Sequence, residues 1–308
     1  MTGLRNTIIG AALAAGVLLT TPAAALDVEE VAEGVYALVG PLEQRSPENL
    51  GNNATFGAIV TDDGVVLIDS GGSAAGAEEI ADAVATVTDK PVTTVINTGG
   101  QDHRWFGNAW FQTRGATVIA SEAAVADQRD RSDAQYATMR RLIGEDVIAG
   151  TDLSHADATF SDTLETTVGG VPLVLHHAGP AHTPGDAFVW LPEQRVLFSG
   201  DIVYMDRMLG VGPQSDSRSW LEAFDALAAH DPAVIVPGHG APGDLAKATR
   251  QTRDYLAHLR EQVGTVLEEG GDANAAVAVD QSDWSHLAVA DEIGGRNAQQ
   301  VYMQMEWE

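Results

Sequence analysis

The chain has 308 residues, and its 44 acidic residues against 17 lysines and arginines give a formal net charge of −27 at pH 7. A surface this acidic repels nucleic acids and anionic membranes, so we expect a small-molecule substrate as the partner rather than either of these. The sequence contains no cysteine, which excludes disulfide bonds, thiolate metal ligands and a cysteine nucleophile. Any bound metal must therefore be held by histidine or carboxylate side chains.

The first 25 residues have the organisation of a secretory signal peptide. Arg5 supplies a positive charge, residues 8–19 form an uncharged apolar run, and residues 23–25 are three small alanines typical of a cleavage site. The apolar run is short for a membrane span. A retained N-terminal anchor is the alternative. We expect cleavage after residue 25, a periplasmic or secreted protein free of the membrane, and one domain over residues 26–308.

The remaining chain alternates strand-like stretches with amphipathic ones, and it does so twice. In the first half the predicted strands are 31–39, 54–69 (with a hairpin turn at 62–64), 91–96 and 117–120, and the predicted helices are 75–87 and 122–143. In the second half the predicted strands are 165–167, 171–176, 187–191, 196–198 and 233–236, and the predicted helices are 219–229, 245–269 and 296–305. This order predicts an α/β fold, a four-layer αββα sandwich with a site along one edge.

Polar loops rich in glycine follow four of these strands. His103 lies in INTGGQDHRWFGN after the strand 91–96, and His182 lies in GPAHTPGD. Asp201 ends LFSGD, and His239 lies in VPGHG. A single histidine or aspartate at a strand end is more often a surface residue or a cap. Four such loops at strand ends instead indicate a site built from imidazole and carboxylate groups.

Taken in order, these loops resemble the metal-binding loops of the metallo-β-lactamase superfamily, over nearly all of residues 26–308. The resemblance implies an αββα fold and a hydrolase that uses a metal-activated water. It also implies a binuclear edge. Two histidines of the first loop and His182 would hold one metal, an aspartate and a last histidine with His239 would hold the second, and Asp201 would bridge them.

The first loop departs from the T-H-x-H-x-D-H pattern of that superfamily. Aligned without a gap from Thr98, Gly99 and Gln101 stand where the first two histidines belong. His103 then stands in the place of the aspartate, and Arg104 in the place of the last histidine. A gapped alternative instead matches the Asp-His pair 102–103 with the family's D-H pair.

The gapless alignment predicts a single metal. The first metal site would keep His182 and little else, whereas His103, Asp201 and His239 would form a three-ligand set with an open position. We expect one divalent ion there, zinc first and iron or manganese as alternatives. Arg104 would supply a fixed cation that holds an anionic substrate group or the developing oxyanion.

In the gapped alignment Asp102 joins His103 as a ligand and Arg104 flanks the site. The candidate catalytic residues are therefore Asp102, His103 and Arg104. Substrate contacts are expected from Gln101, Arg104, Tyr204 and Arg207. Asp69, which ends the strand 54–69, is expected to brace the first loop by hydrogen bonds rather than to bind metal.

Two functions are compatible with these residues. The first is an exported hydrolase that cleaves an ester, thioester or related bond with an atypical mononuclear site. The second is a protein that keeps the fold but has lost catalysis and serves as a binding or accessory protein in periplasmic metabolism. His182, Asp201 and His239 favour the first, and the altered loop around Gln101 favours the second.

Overall fold

The computed structural model describes residues 26–308, so the predicted signal peptide lies outside the described residues. The strands are β1 (Asp27–Ala32), β2 (Val35–Val39), β3 (Thr55–Thr61), β4 (Gly64–Ile68), β5 (Val92–Asn97), β6 (Thr117–Ser121), β7 (Ala158–Phe160), β8 (Thr163–Val168), β9 (Val171–His176), β10 (Phe188–Leu191), β11 (Val196–Phe198) and β12 (Val234–Val236). The helices are α1 (Ala74–Ala85), α2 (Asp102–Trp105), α3 (Asn108–Gln112), α4 (Glu122–Ile143), α5 (Glu145–Ile148), α6 (Ser217–Ala228), α7 (Leu245–Ala248), α8 (Asp254–Glu268), α9 (Ala273–Val277) and α10 (Ala290–Met305). Within this described part, every helix is too short or too polar to cross a bilayer.

Two mixed sheets form the centre of the structure. The first has the order β1-β2-β3-β4-β5-β6-β7, with antiparallel pairing from β1 to β4 and parallel pairing from β4 to β7. The second has the order β12-β11-β10-β9-β8, antiparallel except for the parallel pair β11 and β12. The carboxyl ends of β4, β5, β11 and β12 therefore all reach one edge, where a site can form.

Apolar side chains separate the layers. Val66 and Ile96 of the first sheet pack with Val189 and Phe198 of the second to form the core between the sheets. The outer face of the first sheet is covered by α1 and α3, and that of the second by α6, α8 and α10. This arrangement confirms the predicted αββα sandwich.

Most sequence-based element bounds hold, but the last helix begins at Ala290 rather than at the predicted residue 296, and two other elements also differ. Helix α4 matches its predicted bounds, but the strand predicted at 31–39 is a hairpin, because Gly34 adopts a positive φ of 70° between β1 and β2. The helix predicted at 245–269 is interrupted by a π-helical turn, Thr249–Arg253. There Thr252 Oγ1 accepts a hydrogen bond from Tyr204 N and donates one to Tyr204 O, at 3.0 and 2.6 Å.

Candidate metal centre

Three of the predicted ligands converge at the sheet edge. His103 lies in α2, beyond the end of β5. Asp201 lies in a 3₁₀ turn after β11, and His239 follows β12. All three are buried, and their ligand atoms lie within 4.8 Å of one another. His103 Nε2 is 3.3 Å from Asp201 Oδ2, and His239 Nε2 is 3.2 Å from Asp201 Oδ1.

The hydrogen bonding of His239 fixes which ring nitrogen carries its proton. Burial lowers the pKa of His239 well below its ordinary value, so the ring is neutral at pH 7. Its Nδ1 is 2.6 Å from the carbonyl oxygen of Asn53, which can only accept, so Nδ1 is the donor. Nε2 therefore directs a lone pair at Asp201 Oδ1. Two acceptors that face each other at 3.2 Å are stabilised by a cation between them, and a metal ion fits this position.

His103 has a different environment. Its Nε2 is buried and has no hydrogen-bond partner within residues 26–308. Its Nδ1 lies 2.5 Å from Arg45 Nη2, and a guanidinium can only donate. Metal binding through Nε2 requires Nδ1 to carry the proton, so Arg45 must then give way to an acceptor. Asp102 Oδ1 lies 3.3 Å from Nδ1 and can take that role, as carboxylates do behind ligating histidines.

Asp102 itself lies outside the ligand group. Its Oδ1 is 2.5 Å from Arg45 Nη2 and accepts a hydrogen bond from the backbone N of His103 at 2.8 Å. Although burial alone would raise it, the charge of Arg45 and the contacts of His103 hold the pKa of Asp102 well below its ordinary value. Asp102 thus supports His103 from behind, and the structure does not place it as the metal ligand that the gapped alignment expects.

Arg104 is fully buried and uses all of its donors. Nε and Nη2 bind the two oxygens of Asp201 at 3.2 and 2.6 Å, and Nη1 binds Asp69 Oδ2 at 3.0 Å. Nη1 also donates to the carbonyl of Thr55, and Nη2 to that of Gly238, which satisfies the five N–H groups of the guanidinium. Arg104 is therefore a partner of Asp201. It is not among the residues that line the cavity described below, where we expected it to contact substrate.

The residues around Arg104 leave room for its side chain and hold its partners in place. A Cβ atom on Gly238 would come within 2.6 Å of Arg104 Nη2, so this position has no room for a side chain. Asp69 adopts a positive φ of 66°, accepts from Thr98 N and Oγ1 at 2.7 and 2.8 Å, and thereby braces the first loop as expected. Although burial opposes it, the charge of Arg104 holds the pKa of Asp201 well below its ordinary value.

The space beside Gly99 is filled by a carboxyl group. A Cβ atom on Gly99 would lie 2.4 Å from Asp186 Oδ1. Asp186 accepts hydrogen bonds from the N and Oγ1 of Thr183 at 2.7 and 2.5 Å. Burial and the nearby charge of Asp201 raise the pKa of Asp186 to about 8. The chain's own side chains thus occupy the position at which the superfamily pattern has its first histidine.

His182 does not join the group of three ligands. Its Nδ1 lies 2.8 Å from the carbonyl of Gly210 and therefore donates to it, which leaves Nε2 as an acceptor. The ring packs edge-on against Tyr204 and Trp220. Burial lowers the pKa of His182 to about 4, so the ring is neutral at pH 7. The expected ligand is instead a neutral wall residue beside the centre.

A cavity of about 160 Å³ opens over the centre. Its lining residues are Gln44, Arg45, Asn53, Gln101, His103, His182, Tyr204, Arg207, Gly210, Gln214, His239, Ile293 and Arg296. Of the expected substrate contacts, Gln101, Tyr204 and Arg207 are on this wall. Sequence reasoning missed Arg45, although it is the single basic residue of the polar loop 41–53.

Comparison with known proteins agrees with this architecture. The family model of the metallo-beta-lactamase superfamily matches residues 51–239, more than half of the chain. The chain therefore belongs to the metallo-β-lactamase superfamily, as the loop resemblance predicted.

Relatives of known function include a linear primary-alkylsulfatase from Pseudomonas sp., 24% identical over 250 residues, which cover 69% of this chain and 47% of that one. A type 2 metallo-beta-lactamase from Bacteroides fragilis is 32% identical over 98 residues, 30% of this chain and 39% of that one. The chain thus spans about half or less of the length of these curated relatives.

Solved structures show the same fold at low sequence identity. The sec-alkylsulfatase Pisa1 from Pseudomonas sp. is 19% identical and superimposes with a TM-score of 0.71 over 91% of this chain and 50% of that one. A metallo-beta-lactamase from Pontibacter korlensis is 24% identical, with a TM-score of 0.60 over 75% of this chain and 99% of that one.

Proposed function

We propose that this chain is a metal-dependent hydrolase that cleaves an ester, thioester or related bond with one divalent ion held by His103, Asp201 and His239. The observation that carries the proposal is the pair of facing acceptors, His239 Nε2 and Asp201 Oδ1, in a buried site. Superfamily membership and relatives named as alkylsulfatase and metallo-β-lactamase support hydrolysis as the reaction. Zinc is the first choice of metal, because the ligands are imidazole and carboxylate.

The count of one ion follows from what surrounds Asp201. Arg104 supplies a permanent positive charge to both oxygens of Asp201, and its five donors are all committed. Gly99 offers no ligand, and Asp186 fills the space beside it. These contacts support a mononuclear centre rather than the binuclear one that the superfamily pattern implies.

A divalent ion in this site supplies Lewis-acid activation of a water molecule. The chain's own residues orient and enclose the reaction. The carbonyl of Asn53 fixes the tautomer of His239, and Tyr204 stacks on the His239 ring with centroids 4.6 Å apart. Arg104 holds both oxygens of Asp201 in place. His182 presents a neutral acceptor nitrogen to the cavity, where it can orient a hydroxyl or water by hydrogen bonding.

Metal content per chain tests the ligand set directly. In the chain from Leu26 onward, purified without a histidine tag, we expect about one tightly held ion per chain from the three-ligand arrangement. His239→Ala should lose the ion, whereas Gln101→Ala, which alters a wall residue at the position of a lost family ligand, should keep it. Equal metal loss in the two variants would contradict the mononuclear assignment.

Hydrolysis needs its own assay. The metal-loaded chain should be screened against carboxylic esters, thioesters and alkyl sulfates, with His239→Ala as the matched inactive control. We expect turnover of at least one of these classes, abolished in the variant. One bound ion without any turnover above the variant would remove hydrolysis from the proposal and leave the metal site standing.

The contact between Arg45 and His103 favours a second candidate, a metal-free binding protein. Arg45 Nη2 donates to His103 Nδ1 at 2.5 Å. In that state Arg45, rather than a metal ion, is the cation that contacts His103. No bound metal after reconstitution, in a folded protein, would favour this second function.

A further inference from the structure

The cavity over the metal centre is cationic on an otherwise strongly acidic protein. The chain has 44 acidic and 17 basic side chains, yet three arginines line this cavity, Arg45, Arg207 and Arg296. The other lining side chains are neutral amides, a tyrosine, histidines and an isoleucine, and the wall contains no carboxylate among the described residues. The wall therefore has the opposite charge from the protein's surface.

Arg207 is a buried guanidinium without a counter-ion. It is 6% exposed, and its Nε and Nη2 donate to the carbonyl of Leu42 and to Gln44 Oε1 at 2.8 and 3.1 Å. Across residues 26–308 it forms no salt bridge, and its Nη1 donates to no protein acceptor. Burying a charge without a partner is costly, so a fold retains such a group where something else neutralises it.

Arg45 adds a second cation to the same wall. Its Nη2 is used by Asp102 and His103, but its Nε is buried and has no hydrogen-bond partner within the described chain. Both guanidinium groups line the same cavity, and burial, with the charge of Arg45 added, lowers the pKa of Arg207. Two like charges beside one small cavity are stabilised by an anion between them.

We propose that Arg45 and Arg207 form an anion subsite, and that the substrate presents an oxyanion, a carboxylate, sulfate or phosphate group, to their N–H donors. Guanidinium forks match the oxygens of these groups and bind them by charge-assisted hydrogen bonds. The cavity volume of about 160 Å³ limits the occupant to a small anion or to the anionic end of a longer molecule. This inference rests on the proposed function for its reaction, but the binding of an anion needs no turnover.

Inorganic sulfate is the probe for this subsite. Its dissociation constant should be measured by calorimetry at constant ionic strength, with chloride as the balancing anion, because high sulfate stabilises proteins without specific binding. Arg207→Gln and Arg45→Gln should each weaken sulfate binding by about tenfold, the value of a lost charge-assisted hydrogen bond. Arg253→Gln, which removes the same charge from an exposed pair with Asp225, should leave it within about twofold.

Further measurements identify the type of anion and separate the anion subsite from the proposed hydrolase function. Acetate and phosphate in place of sulfate distinguish a planar from a tetrahedral oxyanion. Sulfate binding is measured without turnover, so a chain that hydrolyses none of the screened substrates can still bind sulfate, and failure of the hydrolase proposal leaves this one intact. Circular dichroism shows whether each variant is folded. If Arg207→Gln unfolds, Arg207→Lys replaces it as the test, and because it keeps the charge it should retain part of the sulfate affinity. Sulfate binding that is absent, or equally strong in all the arginine variants, would overturn the subsite.

Discussion

Asp201 has two groups of partners that differ in kind. On one side, His103 and His239 direct ring nitrogens at the carboxylate from 3.3 and 3.2 Å, a geometry that calls for a cation from outside the chain. On the other side, Arg104 supplies the cation from within the chain. The contacts between Arg104 and Asp201 are thus complete on folding. The two histidines and Asp201 instead offer ligand atoms that need an ion from outside the chain.

A similar contrast separates the buried arginines themselves. Arg104 has five satisfied donors and two carboxylate partners, so it stabilises the fold and is not free to act on a ligand. Arg207 has a carbonyl and an amide as partners and no carboxylate in the described chain. Burial therefore does not by itself distinguish these two arginines, but the presence of a counter-ion at Arg104 and its absence at Arg207 do.

Removing the positive charge of Arg104 should have the largest effect on the free energy of unfolding. Arg104→Met leaves the buried Asp201 and Asp69 without their partner, and breaking a buried ion pair from one side typically costs about 3–5 kcal/mol. Urea denaturation followed by circular dichroism measures the loss in the free energy of unfolding. Arg104→Lys keeps the charge but not the five-donor fork and should fall in between. A loss below about 1 kcal/mol in the methionine variant would contradict a structural role for this cation.

Filling the space beside Gly99 should have an intermediate effect. Gly99→Ala places a Cβ atom 2.4 Å from Asp186 Oδ1, and overpacking of this kind costs about 1–3 kcal/mol. The matched test is a double-mutant cycle with Asp186→Ala, because the alanine at 99 should cost less once the carboxyl group is gone. Strictly additive losses would show that Asp186 does not limit the space at this position.

A separate effect concerns pH. The folded pKa of Asp186, about 8, lies above its ordinary value of 3.8, so between these values the folded chain keeps a proton that the unfolded chain releases. Stability from this group therefore falls as the pH rises through that window. Asp186→Asn has no such proton and should lose less stability between about pH 5 and pH 8. Melting temperatures at both pH values measure the difference, and parallel pH profiles would argue against the raised pKa.

The sequence alone predicted the fold and part of the centre because those features are local. Glycine-rich turns at the ends of hydrophobic strands predicted where His103, Asp201 and His239 lie, and a run rich in charge and alanine predicted α4. The parallel pairing of β11 with β12 then brings two of these strand ends together, which the strand order alone did not state.

What the sequence did not predict depends on contacts between distant residues. Arg45 meets Asp102 across 57 positions, from a loop without regular structure, so its place over His103 follows from tertiary packing. Arg104 was predicted to hold an anionic substrate group because it stands beside His103 in the place of the family's last histidine, but its side chain binds Asp201 and Asp69 inside the protein. His182 keeps its place at the edge, yet its hydrogen bond to Gly210 makes it a wall residue.

The π-helical turn at Thr249–Arg253 determines the angle by which α8 is rotated about its axis relative to α7. An α-helix advances by about 100° per residue, so deleting one residue from this turn would rotate α8 by that angle relative to α7. Tyr255 on α8 holds Asn297 of α10, and Asn297 in turn fixes the backbone at Leu209 and Val211 on either side of the carbonyl that binds His182. A single surplus residue in this turn thereby keeps one wall of the cavity in register.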